Sequence, residues 1–340
     1  MSSSLPNAQV WTNFSGDDYH KARLPYPIEL LQQIVRFHKS TSTQGGRSTV
    51  AVDLGCGPGT VTVPLAAEFD KVYGVDIAAK MYLSAPTVPN VQYQTASASS
   101  LPFLEDGSVD LVTAGTSAHW FDHPAWWKEM SRIVRPGGTV AVWTFGPCFV
   151  SNPDQDETYP PALENLLKVT QRYAGPLQPY RTTGNKLTYE LYDTLPGPSS
   201  ASDLSIEPRW TEEASRKKWG WESEEAYVSN EKGYRWNVIQ NKEGLLGEKG
   251  EQTTDEDKAI ERTLKSRLTL NQLATFFASV SPIIAYRANL QPDEPDWIDE
   301  QFRQIYREGA SLTPDGSEWN GETVIGIRRV LSVVVWKKKD

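Results

Sequence analysis

Cysteine and histidine are scarce: two cysteines and four histidines in 340 residues. Cys56 and Cys148 give neither a metal-ligand spacing nor a disulfide framework, so a reducing compartment, the cytoplasm, is expected. His20, His38 and His123 have no ligand spacing, and no metal is expected. Long apolar runs are missing too. Nothing approaches the roughly 18 residues of a membrane span, and Met1–Pro6 has no apolar signal core. Positive charge is in deficit, with 34 Lys and Arg against 43 Asp and Glu. The net charge of −9 has no basic cluster to offset it beyond Lys337–Lys339. That balance argues against a nucleic-acid backbone as partner and toward a small molecule. Nothing in the chain fixes an oligomeric state.

Glycine, in contrast, is placed with purpose. The apolar run Val50–Leu54 reads as a buried strand that breaks into Gly55-Cys-Gly-Pro-Gly59, followed by a helical pattern from 58 to 69. A strand, glycine turn and helix in that order present backbone N–H groups to a ligand and let it approach closely. The next strand, Lys71–Asp76, ends in an acid 17 positions after Gly59. An acid at the end of a second strand is placed to accept from both hydroxyls of a ribose. The spacing Gly55, Gly57, Gly59 is not the Gly-x-Gly-x-x-Gly of dinucleotide binding, which argues against a nicotinamide-dependent oxidoreductase.

Strands at 50–54, 71–76, 90–95, 109–115 and 139–145 alternate with helical patterns at 25–39, 58–69, 78–84 and 124–134. This alternation predicts an α/β fold with a doubly wound, mostly parallel sheet. Arg135-Pro-Gly-Gly138 stops the last of these helices. Beyond Gly146 the pattern changes. Helices are predicted over 160–174, 222–234, 255–279 and 295–309. Pro, Gly, Ser and Thr are rich over 175–205, and the charged stretch 243–257 reads as a loop. Alternation returns at Thr323–Trp336, read as two antiparallel strands joined near Arg328-Arg329. The organisation expected is a core over 1–146 with an N-terminal lid segment, an inserted mainly helical cap over 147–320, and a strand hairpin over 321–340. The twelve tryptophans include Trp210, Trp219, Trp221 and Trp236 in the insertion, where they could line an apolar pocket.

The acid, apolar residue and Gly-x-Gly-x-Gly of Asp53–Gly59 resemble the first motif of class I S-adenosylmethionine (SAM) methyltransferases. Four further stretches resemble the trans-aconitate methyltransferase-like branch, chiefly its fungal members. They are Tyr19–Pro27; Ser100–Phe103 with Asp106–Val112; Ala118-His-Trp-Phe-Asp122; and Arg135–Gly138. The resemblance covers about 1–146, is weak through the insertion and returns at 320–337. It implies a Rossmann-like, seven-stranded sheet closed by a hairpin of strands six and seven. A core of this kind takes about 200–250 residues, leaving room for a cap.

The cofactor implied is SAM, with S-adenosylhomocysteine as product. The residues placed on it are Tyr19, Arg23 and Tyr26 from the lid; Asp53, Gly55, Gly57 and Gly59 around the amino-acid portion; and Asp76 at the ribose. Ile77 is placed against adenine, and Thr116 and His119 past the fourth strand. The branch usually reads the adenine amino group with an acid before Leu-Pro-Phe; here Ser97 or Ser99 stands in as a neutral acceptor. Trp120, Phe149, Trp210 and Trp236 are candidates for the substrate, and Arg181, Arg209, Arg216, Lys217 and Lys218 for a substrate carboxylate. His119 is either a general base or a residue that shapes the pocket. The function expected is methyl transfer to a small molecule, at a carboxylate or hydroxyl oxygen. The alternative is a SAM-binding protein of the same fold, a cyclase or regulatory binder, that transfers no methyl group.

Overall fold

The computed structural model describes residues 22–40, 49–150, 159–172, 175–198, 215–219, 255–312 and 318–339. In chain order the strands are β1 Val50–Leu54, β2 Lys71–Asp76, β3 Val91–Thr95, β4 Val109–Gly115, β5 Val134–Val150, β6 Ser215–Trp219, β7 Lys265–Thr269 and β8 Val324–Lys337. The α-helices are α1 Ile28–Ser40, α2 Thr62–Leu65, α3 His123–Ile133, α4 Pro161–Arg172, α5 Thr183–Tyr189, α6 Asp255–Leu264, α7 Leu270–Ala278, α8 Ser281–Ala288 and α9 Trp297–Ala310.

The sheet runs β3-β2-β1-β4-β5-β8-β6, with β7 also pairing β8. Strands β1 to β5 are parallel neighbours, and β8 is antiparallel to β5. Period-two patterning of apolar residues sends alternate side chains to two cores. Val52, Leu54, Val112, Val140, Val142, Val334 and Trp336 pack on one face with α3 residues Trp126, Trp127 and Met130. Ala51, Leu111, Ala141, Trp143, Val333 and Val335 pack on the other with α1 residues Leu30, Ile34 and Val35. Covering both faces is what lets parallel strands read as nearly continuous apolar runs.

A third core lies in the insertion, where Leu163, Leu166, Leu273, Phe277, Ile298 and Ile305 surround Ile325 and Ile327 of β8. One strand therefore serves all three cores. Its first half is buried by the insertion and its second half completes the main sheet.

Four expectations are corrected. Thr323–Trp336 is a single strand, β8, and not a hairpin; its partners β6 and β7 come from the insertion and pair with Leu331–Val335 and Val324–Arg328 respectively. The helix expected over 255–279 is two helices split by β7, because Thr269 and Gln272 form a capping box that starts α7 afresh. The Pro- and Gly-rich stretch from 175 holds a three-ten helix, Gly175–Tyr180, and then α5, capped by Thr182 with Asn185. The helix after the glycine turn is also shorter than 58–69. Past Leu65 its hydrogen bonds step to i−3 acceptors, Ala66 N to Val63 O and Ala67 N to Pro64 O. The expected helix over 222–234 lies outside the described residues.

Candidate functional site: a cofactor cleft beside a second chamber

Between β1 and β4 the strand order reverses, and a cleft opens at the C-terminal ends of these strands, where open α/β sheets bind ligands. Gly55 and Cys56 N–H groups both donate to Val75 O, at 2.7 and 3.0 Å, which pins the glycine turn onto the end of β2. The glycines do different work. A Cβ on Gly55 would strike Ser117, whereas one on Gly57, φ +51°, would meet only Met81 Cε at 4.0 Å. Gly57 is thus the position whose bare Cα leaves the cleft open. Gly59 packs on Tyr93 and does not line it.

Two carboxylates organise the cleft floor. Asp53 is 2% exposed and accepts from Thr62 Oγ1 at 2.7 Å and Thr113 Oγ1 at 2.9 Å. Burial pushes its pKa up to about 7 against the pull of those two bonds, with neighbouring Asp76 adding to the rise. Asp76 accepts from Gly57 N at 3.1 Å and Ala78 N at 3.0 Å; burial raises its pKa as well. Ile77 stands 56% exposed at the cleft, an apolar surface at the position expected to meet adenine. Ser97 and Ser99 line the same end. The cavity measures about 210 Å³. Met81, Phe121 and Asp122 also line it, and sequence reasoning did not single them out.

A second cavity, about 400 Å³, lies next to the first. Tyr26, Thr60, Thr116 and Trp120 line both cavities, which adjoin there. Tyr26 Oη donates to Thr116 Oγ1 at 3.0 Å and stacks on Phe145 with ring centroids 5.4 Å apart. Thr116 holds φ +51°, a left-handed conformation costly for a β-branched residue. The chamber is also lined by α5, through Asn185, Thr188 and Tyr189, and by Phe276, Phe277, Val280 and Ser281 around the α7–α8 turn.

Arg23 and His119 were placed on the cofactor and line the chamber instead. His119 is 8% exposed, and its Nδ1 is 2.8 Å from Tyr192 Oη. Tyr192 reaches it from a left-handed turn, φ +62°, directly after α5. Burial, with Arg23 and His123 nearby, lowers the His119 pKa to about 3, so the imidazole is neutral. Trp120 lines cleft and chamber alike, its ring 4.6 Å from that of His119. Tyr19, Trp210 and Trp236 lie outside the described residues, as does the side chain of Phe149 in β5.

Arg329 is the chamber residue that sequence reasoning misread. It sits mid-strand in β8 opposite Cys148, where the pair Arg328-Arg329 was taken for a turn. A charge inside an otherwise apolar run was the available signal.

The reversed strand order, the glycine turn and Asp76 have the arrangement of a class I SAM-dependent methyltransferase domain, a class whose cofactor is SAM. Residues 52–142 match the family described as "Methyltransferase domain". A Saccharomyces cerevisiae protein, CRG1, whose name describes it as a SAM-dependent methyltransferase, is 30% identical over 155 residues, 43% of this chain and 51% of that one. A Dictyostelium discoideum protein named as a methyltransferase is 36% identical over 103 residues, 30% of this chain and 39% of its own length. An Aspergillus fumigatus methyltransferase, tpcM, is 31% identical over 146 residues, 42% of this chain and 45% of its own. The chain thus spans about half the length, or less, of these relatives. The structure of a type II methyltransferase from Anaeromyxobacter dehalogenans superposes with a TM-score of 0.55 over 92% of this chain and 97% of that one, at 19% identity, a likeness of fold. No helix among the described residues is long and apolar enough to cross a membrane.

Proposed function

We propose that this protein transfers the methyl group of SAM to an oxygen, carboxylate or hydroxyl, of a small molecule held in the 400 Å³ chamber. The observation that carries this reading is the shared lining. A cofactor cleft and a second chamber adjoin at Tyr26, Thr60, Thr116 and Trp120, so a donor in one and an acceptor in the other can come into direct contact where the two meet, as in-line transfer requires. The bound cofactor supplies an activated methyl on a sulfonium. Alignment and exclusion of water are then the protein's main tasks.

In this reading Asp76 takes the ribose, and Asp53 with the Gly55–Gly57 backbone faces the amino-acid portion. Ile77, Ser97 and Ser99 take the adenine. Residues 1–146 act as the core with its lid, 147–320 as the cap, and 321–340 complete the sheet. With a pKa of about 3, His119 is a weak base near neutral pH. Its role is to orient the acceptor as a neutral hydrogen-bonding group fixed by Tyr192.

The test is product analysis after isothermal titration with SAM, S-adenosylhomocysteine and, as control, NAD(P). Micromolar binding of the first two is expected. Methyl-labelled SAM with a panel of small acids and phenols is expected to give S-adenosylhomocysteine and methylated acceptor in equal amounts. SAM bound tightly yet recovered intact across the panel would instead favour a binder that does not transfer.

A further inference from the structure

We propose that the chamber is built for a carboxylate seated on Arg329, the rest of the ligand lying against Phe145, Phe276 and Phe277. As a statement about the methyl acceptor this deepens the function proposed above and rests on it. As a statement about binding it stands alone.

Arg329 is 2% exposed, yet among the described residues no carboxylate lies within ion-pair distance of it. Its hydrogen bonds are two long ones, both from Nη2, to Pro25 O and Thr263 O at 3.4 Å. Its Nε is buried with no hydrogen-bond partner. The guanidinium carbon lies 4.2 Å from the centroid of the Phe145 ring. A guanidinium buried this way is expensive when no counter-charge offsets its lost hydration. Burial lowers its pKa, the direction expected when the charged form is short of partners.

The rest of the lining supplies no relief. Among the described residues no aspartate or glutamate lines the chamber. Arg23 adds a second cation there, donating from Nη2 to Ser279 O at 2.8 Å with its guanidinium 5.5 Å over the Phe276 ring. His119 is neutral. The lining therefore combines two cations with the aromatic rings of Phe145, Phe276 and Phe277, which suits an anion on an apolar body. Planar guanidinium and planar carboxylate match as a forked pair. A carboxylate supplies the counter-charge that Arg329 lacks among the described residues. A volume of about 400 Å³ suits a small molecule.

The experiment titrates phenylacetate and octanoate, each beside its primary amide, into the protein saturated with S-adenosylhomocysteine. At least one carboxylate is expected to bind about tenfold or more tighter than its amide, as a charge-assisted pair in a buried site would give. Arg329→Met is expected to abolish that preference while leaving S-adenosylhomocysteine affinity within about twofold. Arg329→Lys is expected to keep part of it, since the charge remains and the fork does not. Amides that bind as well as the acids would overturn the proposal. So would an Arg329→Met protein that still prefers acids, or no carboxylate binding in a protein that binds S-adenosylhomocysteine. Tighter binding of phenyl phosphate than of phenylacetate would overturn the choice of carboxylate. If Arg329→Met does not fold, the acid-against-amide comparison in the unaltered protein still decides. Failure to bind S-adenosylhomocysteine would sink the methyltransferase reading alone, because carboxylates titrated into the protein without it still test Arg329.

Discussion

Asp53 is a carboxylate held where its charge is poorly solvated, and this has a measurable consequence. Its folded pKa, about 7, lies above the unfolded value of 3.8. The folded state therefore binds the extra proton between these values. The stability this contributes is full below pH 4 and is lost as pH rises toward and through 7. A cationic ligand beside Asp53 reverses that preference by favouring the ionised form. We expect S-adenosylhomocysteine affinity to rise from pH 6 to pH 8 by up to about tenfold per pH unit below 7. Proton release should appear as a buffer-dependent enthalpy in calorimetry. Affinity that is flat with pH would mean that the ligand does not use Asp53. Asp76→Ala is expected to weaken the same binding by roughly 1–3 kcal/mol through loss of charge-assisted hydrogen bonds. Unchanged affinity in calorimetry would remove the ribose assignment. These two acids and Gly57 were legible in the sequence because strand ends and glycine spacing are local. The neutrality of His119 was not, since it comes from burial, with Arg23 and His123 nearby, and burial is set by distant segments packing together. Nor was the placing of Arg329 in the chamber, which needs β5, the α7–α8 turn and the segment at Pro25 to close around it.

Elements were legible where one period ran uninterrupted. The five strands of the core follow from short apolar runs with turn residues between them. The insertion was harder, because helix and strand there follow one another without a Gly or Pro boundary: α6 ends at Leu264, β7 starts at Lys265, and α7 starts at Leu270. The one local signal, Thr269 followed three residues later by Gln272, is a capping box. Thr269 Oγ1 accepts from Gln272 N at 3.1 Å, and Gln272 Oε1 accepts from Thr269 N at 2.9 Å. Thr269→Ala should cost about 1 kcal/mol in urea unfolding, the usual worth of an N-cap. It should leave S-adenosylhomocysteine affinity unchanged, since α7 faces the chamber and not the cleft. No loss of stability would mean that packing of Leu270, Leu273 and Phe277 alone holds the helix.

At the scale of the whole molecule, the arrangement turns on β8. It pairs with β5, β6 and β7, carries Arg329 into the chamber, and lends residues to all three cores. The sequence pattern showed that this segment closes the sheet. It did not show that its partners lie in the insertion, because pairing between distant segments leaves no local trace. A chain ending at residue 320 would leave the β5 edge, Thr139–Val150, unpaired and apolar, and we expect it to be insoluble. Soluble protein with native cofactor affinity from such a chain would show that β8 is dispensable to the core.

The same dependence reaches into synthesis on the ribosome. Strand β5 leaves the exit tunnel about 190 residues ahead of its partner. At roughly 5–20 residues per second, its bare edge waits on the order of 10–40 s, an interval in which a nascent-chain chaperone, and not the sheet, must keep it from other chains.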